Sequence, residues 1–130
     1  MPATYLDSSA IVKLVTQEPE STELRSYLRR RRPLISSALA RTEVLRSLLL
    51  EGTEGLARGR AVLDRLDLVR LNDRLLSAAG TMLSEDLRSL DALHLATAQA
   101  LGSDLSLIVT YDERMIDAAL NIGIETVSPT

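Results

Sequence analysis

The feature that most limits how this chain can fold is an alternation of short apolar runs with longer stretches of helical spacing. The first run, Ala3-Thr4-Tyr5-Leu6, stops at Asp7. Helical spacing follows over 8–15, and Pro19 marks the next boundary. It returns over 20–31, where Leu24 and Leu28 stand four apart. After Pro33 comes a short strand, Leu34-Ile35, then a helix expected over 38–50 and closed by Gly52. Helical patterns over 55–66, 73–83 and 90–101 are separated by a strand over 68–71. Gly102 closes the last of these helices. A strand over 105–110, a helix over 113–120 and, beyond Gly123, a strand over 124–127 complete the pattern. Strands linked through helices need crossover connections, and these build parallel sheets covered on both faces. The expected fold class is therefore α/β, a three-layer α/β/α domain with a mostly parallel central sheet flanked by helices. Residues 1–130 read as a single domain, without linker, low-complexity segment or internal repeat.

Composition narrows the setting. The 45% apolar and 25% charged content is that of a packed globular protein. There is no Cys, which excludes disulfides and thiolate metal sites and points to a reducing, cytoplasmic location. Met1-Pro2-Ala3-Thr4 has no basic lead, and Asp7 soon breaks the apolar run, so no signal peptide is expected. No stretch approaches the roughly 20 apolar residues of a membrane span, so no membrane contact is expected. A net charge of −3, three Tyr, and no Phe or Trp argue against a broad basic surface or aromatic stacking platforms for nucleic acid. A polyanionic substrate would need a local basic patch or bound cations.

Four acids stand out by position. Asp7 directly follows the first strand, and Asp112 comes two residues after the strand that ends at Thr110. In parallel α/β sheets this carboxyl edge is where ligands sit. Asp91 falls in the first turn of a helix starting near Ser89. Glu43 lies on a helix face shared with Leu39, Ala40, Ser47 and Leu50. Each has a simpler role available. Asp7 and Asp112 suit N-caps, Asp91 suits the helix dipole behind a Ser89 cap, and Glu43 could pair with Arg46. Taken together they suggest a carboxylate cluster, which repels itself unless a cation compensates. Hard oxygen donors with no Cys and one His select Mg²⁺ or Mn²⁺. That single His94, three residues after Asp91, reads as a packed or hydrogen-bonded side chain more readily than as a ligand or base.

The segments around these acids resemble a known family. Tyr5-Leu6-Asp7-Ser8-Ser9-Ala10 resembles the opening motif of PIN domains, and Leu39-Ala40-Arg41-Thr42-Glu43-Val44 the second. Residues Arg88-Ser89-Leu90-Asp91-Ala92-Leu93-His94-Leu95-Ala96-Thr97-Ala98 resemble the third, which is the most specific. Val109-Thr110-Tyr111-Asp112 resembles the fourth. All four occur in order across nearly the whole chain, and the third motif and the size look most like VapC-type toxins of bacterial toxin–antitoxin pairs. The resemblance implies a Mg²⁺-dependent endoribonuclease leaving 5′-phosphates. Asp7 and Asp91 would be the main metal ligands, and Glu43 and Asp112 would complete the cluster directly or through water. Ser8 or Ser9 and Thr110 match the small hydroxyl positions beside the metal. The resemblance also implies an antitoxin partner that occludes the acidic site, and a homodimer.

The chemistry that fits is metal-assisted phosphodiester hydrolysis of RNA. Arg29-Arg30-Arg31-Arg32, the only basic run, is either a solvated helix end or a phosphate-contacting patch. Arg88 could steady a phosphate or pair with a site acid. Leu45, Leu48, Leu49 and Leu50 exceed what one helix face needs, which leaves some to pack against another chain. Three other readings compete. One is a PIN nuclease of RNA processing outside a toxin system. The second is an acidic Mg²⁺ phosphoryl-transfer domain. Against it, Ser9 stands where a dehalogenase-type phosphatase has its second Asp. A receiver domain lacks its late lysine here, since Lys13 is the only Lys. The third is a non-catalytic binding module.

Overall fold

The computed structural model describes residues 2–130. Five strands, β1 (Ala3–Leu6), β2 (Leu34–Ser37), β3 (Asp67–Val69), β4 (Leu105–Val109) and β5 (Thr126–Val127), form one sheet in the order β3-β2-β1-β4-β5. Every strand pair is parallel, with Thr4 beside Leu34 and Tyr5 beside Ile108. This is the expected architecture with no antiparallel edge.

Alternation along the strands sorts the core into two halves. Leu6, Leu34, Leu107 and Val109 point to one face. There they meet α1 (Ser8–Val15), α2 (Ser21–Leu28), α3 (Ala40–Ser47) and α4 (Gly52–Leu63) through Ile11, Leu24, Val44 and Leu63. Tyr5 and Ile108 point to the other face, against Leu95 and Ala98 of α6 (Ser89–Ala100) and Met115 and Ala119 of α7 (Glu113–Asn121). The remaining helix, α5 (Asp73–Gly80), packs Ala79 on Ala92 and Ala96 of α6. Among the described residues no helix is long and apolar enough to cross a membrane.

Several boundaries differ from the sequence expectation. The helix expected over 38–50 ends at Ser47, whose hydroxyl bonds the Val44 carbonyl at 2.6 Å. A 3-10 turn, Leu49–Glu51, follows, and Gly52 then takes φ +70, which reverses the chain into α4. Leu48 is buried by this turn, while Leu49 and Leu50 face solvent. The helix expected over 20–31 ends three residues early, at Leu28. The strand expected over 68–71 is shifted one residue toward the amino end and is shorter, because only 67–69 reach β2.

α3 and α4 come together because Gly59 has no side chain. A Cβ there would stand 2.5 Å from Leu48 Cδ1, and Leu48 is fully buried. Gly59→Val is expected to lower stability by about 1–3 kcal/mol, the usual cost of overpacking a filled core. Urea unfolding followed by circular dichroism would measure it, and an unchanged midpoint would contradict this packing.

Candidate active site

The sheet order reverses between β1 and β4. Strands β1, β2 and β3 step one way from this point, and β4 and β5 step the other. Asp7 and Asp112 follow the two strands that flank it. The Asp7 N–H donates to the Val109 carbonyl at 3.3 Å, which ties the end of β1 to the end of β4. Asp7 Oδ1 accepts from Ser9 Oγ at 2.6 Å and from the Ala10 N–H at 3.2 Å, and Oδ2 accepts from the Thr110 hydroxyl. Both hydroxyls are aimed by their backbone surroundings. Ser9 Oγ accepts from the Tyr111 N–H at 3.0 Å, and Thr110 Oγ1 accepts from the Asp112 N–H at 3.1 Å. Their hydrogens are thereby directed at Asp7. Of the two serines, Ser9 makes the contact, while Ser8 opens α1 half-buried.

Asp7 is only 3% exposed. Burial pushes its carboxyl up from the ordinary aspartate range, and the Ser9 and Thr110 bonds only partly oppose it. Asp91, half-buried in the first turn of α6, is also pushed up. Burial comes first, followed by the charges of Asp112, Asp7 and Glu43. Asp91 thus lies within Coulombic reach of all three other acids. The cap expected at Ser89 is displaced. Ser89 is already helical, Arg88 is the N-cap residue, and no side chain caps this end. Asp7 and Asp112 do cap α1 and α7, through Ala10 and Arg114 respectively.

Glu43 does not pair with Arg46. Its Oε1 lies 2.6 Å from His94 Nε2, and His94 Nδ1 lies 2.8 Å from the Tyr5 hydroxyl. His94 is 1% exposed and stands edge-on to the Tyr5 ring. The expectation of a hydrogen-bonded histidine holds. Tyr5 is the site residue that sequence reasoning missed. A tyrosine on a wholly buried strand needs a partner for its hydroxyl, and that signal could have flagged it.

This geometry has relatives. The PIN domain model matches residues 4–121. The chain belongs to the PIN domain family. Ribonuclease VapC46 of Mycobacterium tuberculosis is 55% identical over 130 residues, covering all of both chains. Ribonuclease VapC47 from the same organism is 38% identical over 130 residues, covering 96% of each. The fold matches a toxin–antitoxin complex from Klebsiella pneumoniae with a TM-score of 0.76 at 19% identity, over 98% of each chain. It also matches VapC20 of Mycobacterium tuberculosis, a sarcin–ricin-loop-cleaving toxin, with a TM-score of 0.78 at 14% identity, over 98% of this chain and 100% of that one. This is a VapC-type PIN domain. Its strand order also differs from the 2-1-3-4-5 order of receiver domains, which removes that alternative.

PIN ribonucleases generally depend on a divalent metal. In this PIN domain the donors at the carboxyl edge are carboxylate and hydroxyl oxygens, which suit hard cations. Among the described residues no three Asp, Glu or His side chains stand close enough to hold one ion directly. A small hard cation does not need that. Mg²⁺ takes one or two carboxylates and keeps several waters, which reach further acids. The repulsion that raises the Asp91 carboxyl is what such a charge would relieve.

The arginines are divided. Arg88 is exposed next to Asp91's turn and forms no ion pair among the described residues. The run Arg29-Arg30-Arg31-Arg32 lies after α2 and before β2 begins at Leu34, so it sits at the amino edge of the sheet, opposite the acids. There Arg29 and Arg32 join Arg25 and Arg65 around a cavity of about 240 Å³ floored by Leu28 and Leu34. Arg31 lies over the Tyr27 ring instead, 4.2 Å from its centroid.

The raised carboxyls set a pH dependence for protein held in EDTA. In the folded state Asp7 and Asp91 hold their protons more tightly than in the unfolded chain. The stability they contribute is complete below the ordinary aspartate range and is lost as pH rises through their folded values. Asp91→Asn carries no such charge. It is expected to melt above the wild type at pH 7 and to lose that advantage as pH falls toward 4. Paired melting curves across this range check the sign, and a variant no more stable than wild type at pH 7 would contradict it.

Proposed function

We propose that this PIN domain is the ribonuclease toxin of a toxin–antitoxin pair, and that it hydrolyses RNA phosphodiesters at the edge carrying Asp7, Glu43, Asp91 and Asp112 with Mg²⁺ or Mn²⁺. The observation that supports the proposal is that the charges of Asp112, Asp7 and Glu43 all bear on the Asp91 carboxyl near the β1/β4 reversal, in a chain 55% identical to Ribonuclease VapC46 from end to end. Asp7 and Asp91 are the main ligands, with Glu43 and Asp112 completing the set directly or through water. Ser9 and Thr110 orient the Asp7 carboxylate so that it cannot swing toward α1 alone. A bound divalent cation lowers the pKa of a water and offsets charge on the phosphate.

A covalent route through a histidine base is disfavoured in this chain. Both nitrogens of the only His, His94, are engaged by Tyr5 and Glu43 and are unavailable to activate Ser8 or Ser9. For substrate grip, the exposed Arg88, three residues before Asp91, is our candidate phosphate contact near the cut. Arg29, Arg30, Arg31 and Arg32 could meet only nucleotides far from it, across the height of the sheet. The antitoxin is expected to cover the acidic edge with a cationic side chain, and the solvent-facing Leu49 and Leu50 offer it, or a second copy of the chain, apolar surface. We place the protein in the cytoplasm as a single domain and a homodimer.

Purified protein is expected to cut a structured RNA pool with Mg²⁺ and to stop on addition of EDTA. Asp7→Asn and Asp91→Asn should each remain folded and lose roughly a thousandfold in rate, the several kcal/mol that metal-ion charge stabilisation provides. Near-normal cleavage by both would sink the site assignment. Grip is a separate test, made by RNA binding to the Asp7→Asn protein. Replacing Arg88 with Ala should shallow the slope of log affinity against log salt by about 0.7, the loss of one single-strand phosphate contact. An unchanged slope would remove Arg88 from the interface.

A further inference from the structure

The chain Tyr5–His94–Glu43 links the two helical layers at the carboxyl edge. Glu43 is on α3, in the helical layer packed against Leu6 and Val109. His94 is on α6, in the layer packed against Tyr5 and Ile108. Their bond passes over the end of the sheet from one layer to the other. Tyr5 is wholly buried, His94 is 1% exposed, and the Glu43 side chain is 16% exposed at the outer end. A glutamate on a surface turn of α3 would otherwise be free to rotate into solvent or toward Arg46, three residues on.

Donor and acceptor chemistry fixes the direction of the chain. A carboxylate can only accept, so His94 Nε2 must carry the hydrogen that faces Glu43. In the neutral ring this leaves Nδ1 as the acceptor, and the Tyr5 hydroxyl must donate to it. The phenol keeps its proton in this setting, since burial pushes its pKa far up. Ser36 Oγ, the one buried side-chain polar atom without a partner among the described residues, lies near the phenol. The Glu43 carboxylate therefore selects the His94 tautomer, and the Tyr5 hydroxyl in the floor of the core supports it by donating to Nδ1.

We infer that Tyr5 and His94 are positioning residues that hold the Glu43 carboxylate at the cation-binding edge, His94 by donating from Nε2 and Tyr5 by fixing the imidazole ring through Nδ1. The inference rests on the reading of Glu43 as part of the acidic cluster. Its energetic logic is that of outer partners behind metal ligands, whose loss typically weakens metal affinity about 10–100-fold.

The test uses the full chain and Mn²⁺ binding by calorimetry, beside melting curves in EDTA. His94→Gln places an amide N–H where Nε2 stands and keeps the donor to Glu43. His94→Asn places its amide at the Nδ1 position and loses that donor. His94→Gln is expected to bind Mn²⁺ within about threefold of wild type, and His94→Asn at least about tenfold more weakly. Tyr5→Phe keeps the ring packing and removes the hydroxyl that anchors the imidazole at Nδ1, and about tenfold weaker Mn²⁺ binding is expected. A structural role alone would lower the melting temperature of both His94 variants without separating their Mn²⁺ affinities. That result overturns the inference. The wild type gives a reading that needs no variant to fold. The chain has one His, so its ¹⁵N imidazole spectrum contains one ring, and the neutral form should carry hydrogen on Nε2. A neutral ring with hydrogen on Nδ1 also overturns it. Glu43→Gln separates the two levels. If that variant binds Mn²⁺ like wild type, Glu43 is outside the cluster and the site reading fails with the inference. If it binds weakly while His94→Asn does not, only the inference fails.

Discussion

A carboxylate removed from water is costly, and at Asp7 the lost hydration is replaced by two hydroxyls and one backbone N–H. The surrounding structure is arranged to make those donors available. Ser9 comes from the first turn of the helix that Asp7 itself caps, and Thr110 comes from the end of the neighbouring strand. The hydroxyls point correctly only because the backbone of Tyr111 and Asp112 occupies their lone pairs. The β1/β4 pairing, the start of α1 and the start of α7 therefore meet in one network, and Asp7 is its centre. Loss of strand register by one residue would turn Asp7 to the other face and dissolve all of it.

The N-cap and cluster roles of these acids turn out to be compatible. Capping engages one oxygen of Asp7 and one of Asp112, and it fixes the plane of each carboxylate. A helix N-terminus also partly offsets the negative charge. Asp91 has no such help. It caps nothing and carries the repulsion of the other acids. The electrostatic strain of the edge is thus concentrated on the acid that the PIN resemblance names as a main ligand.

Much of this was readable in advance because it depends on local order along the chain. Strand ends are marked by Asp7 and by Thr110 with Asp112, and parallel topology then carries both to one edge. The break after Ser47 was hidden because Leu48, Leu49 and Leu50 continue a helical pattern that only the close approach of Gly59 to Leu48 explains. Tertiary packing decided that boundary, and periodicity did not contain it. Tyr5 was passed over as one apolar strand residue among four. Its hydroxyl has meaning only once His94, 89 residues away, is placed beside it. The arginine run is different, since its position was legible. Residues just before a parallel strand lie at the amino edge, so the run could have been assigned to the far side from the acids on topology alone.

That separation of charge bears on how a chain of net charge −3 can act on a polyanion. At the carboxyl edge the four acids would repel a phosphate as they repel each other, although Arg88 lies exposed close to Asp91. At the amino edge Arg25, Arg29, Arg32 and Arg65 surround a cavity with no carboxylate among its lining residues. A divalent cation at the acidic edge changes this balance before any bond is broken, because it turns a repelling surface into one that a phosphate oxygen can approach. In the proposed enzyme the metal is accordingly a condition for substrate approach as well as for chemistry.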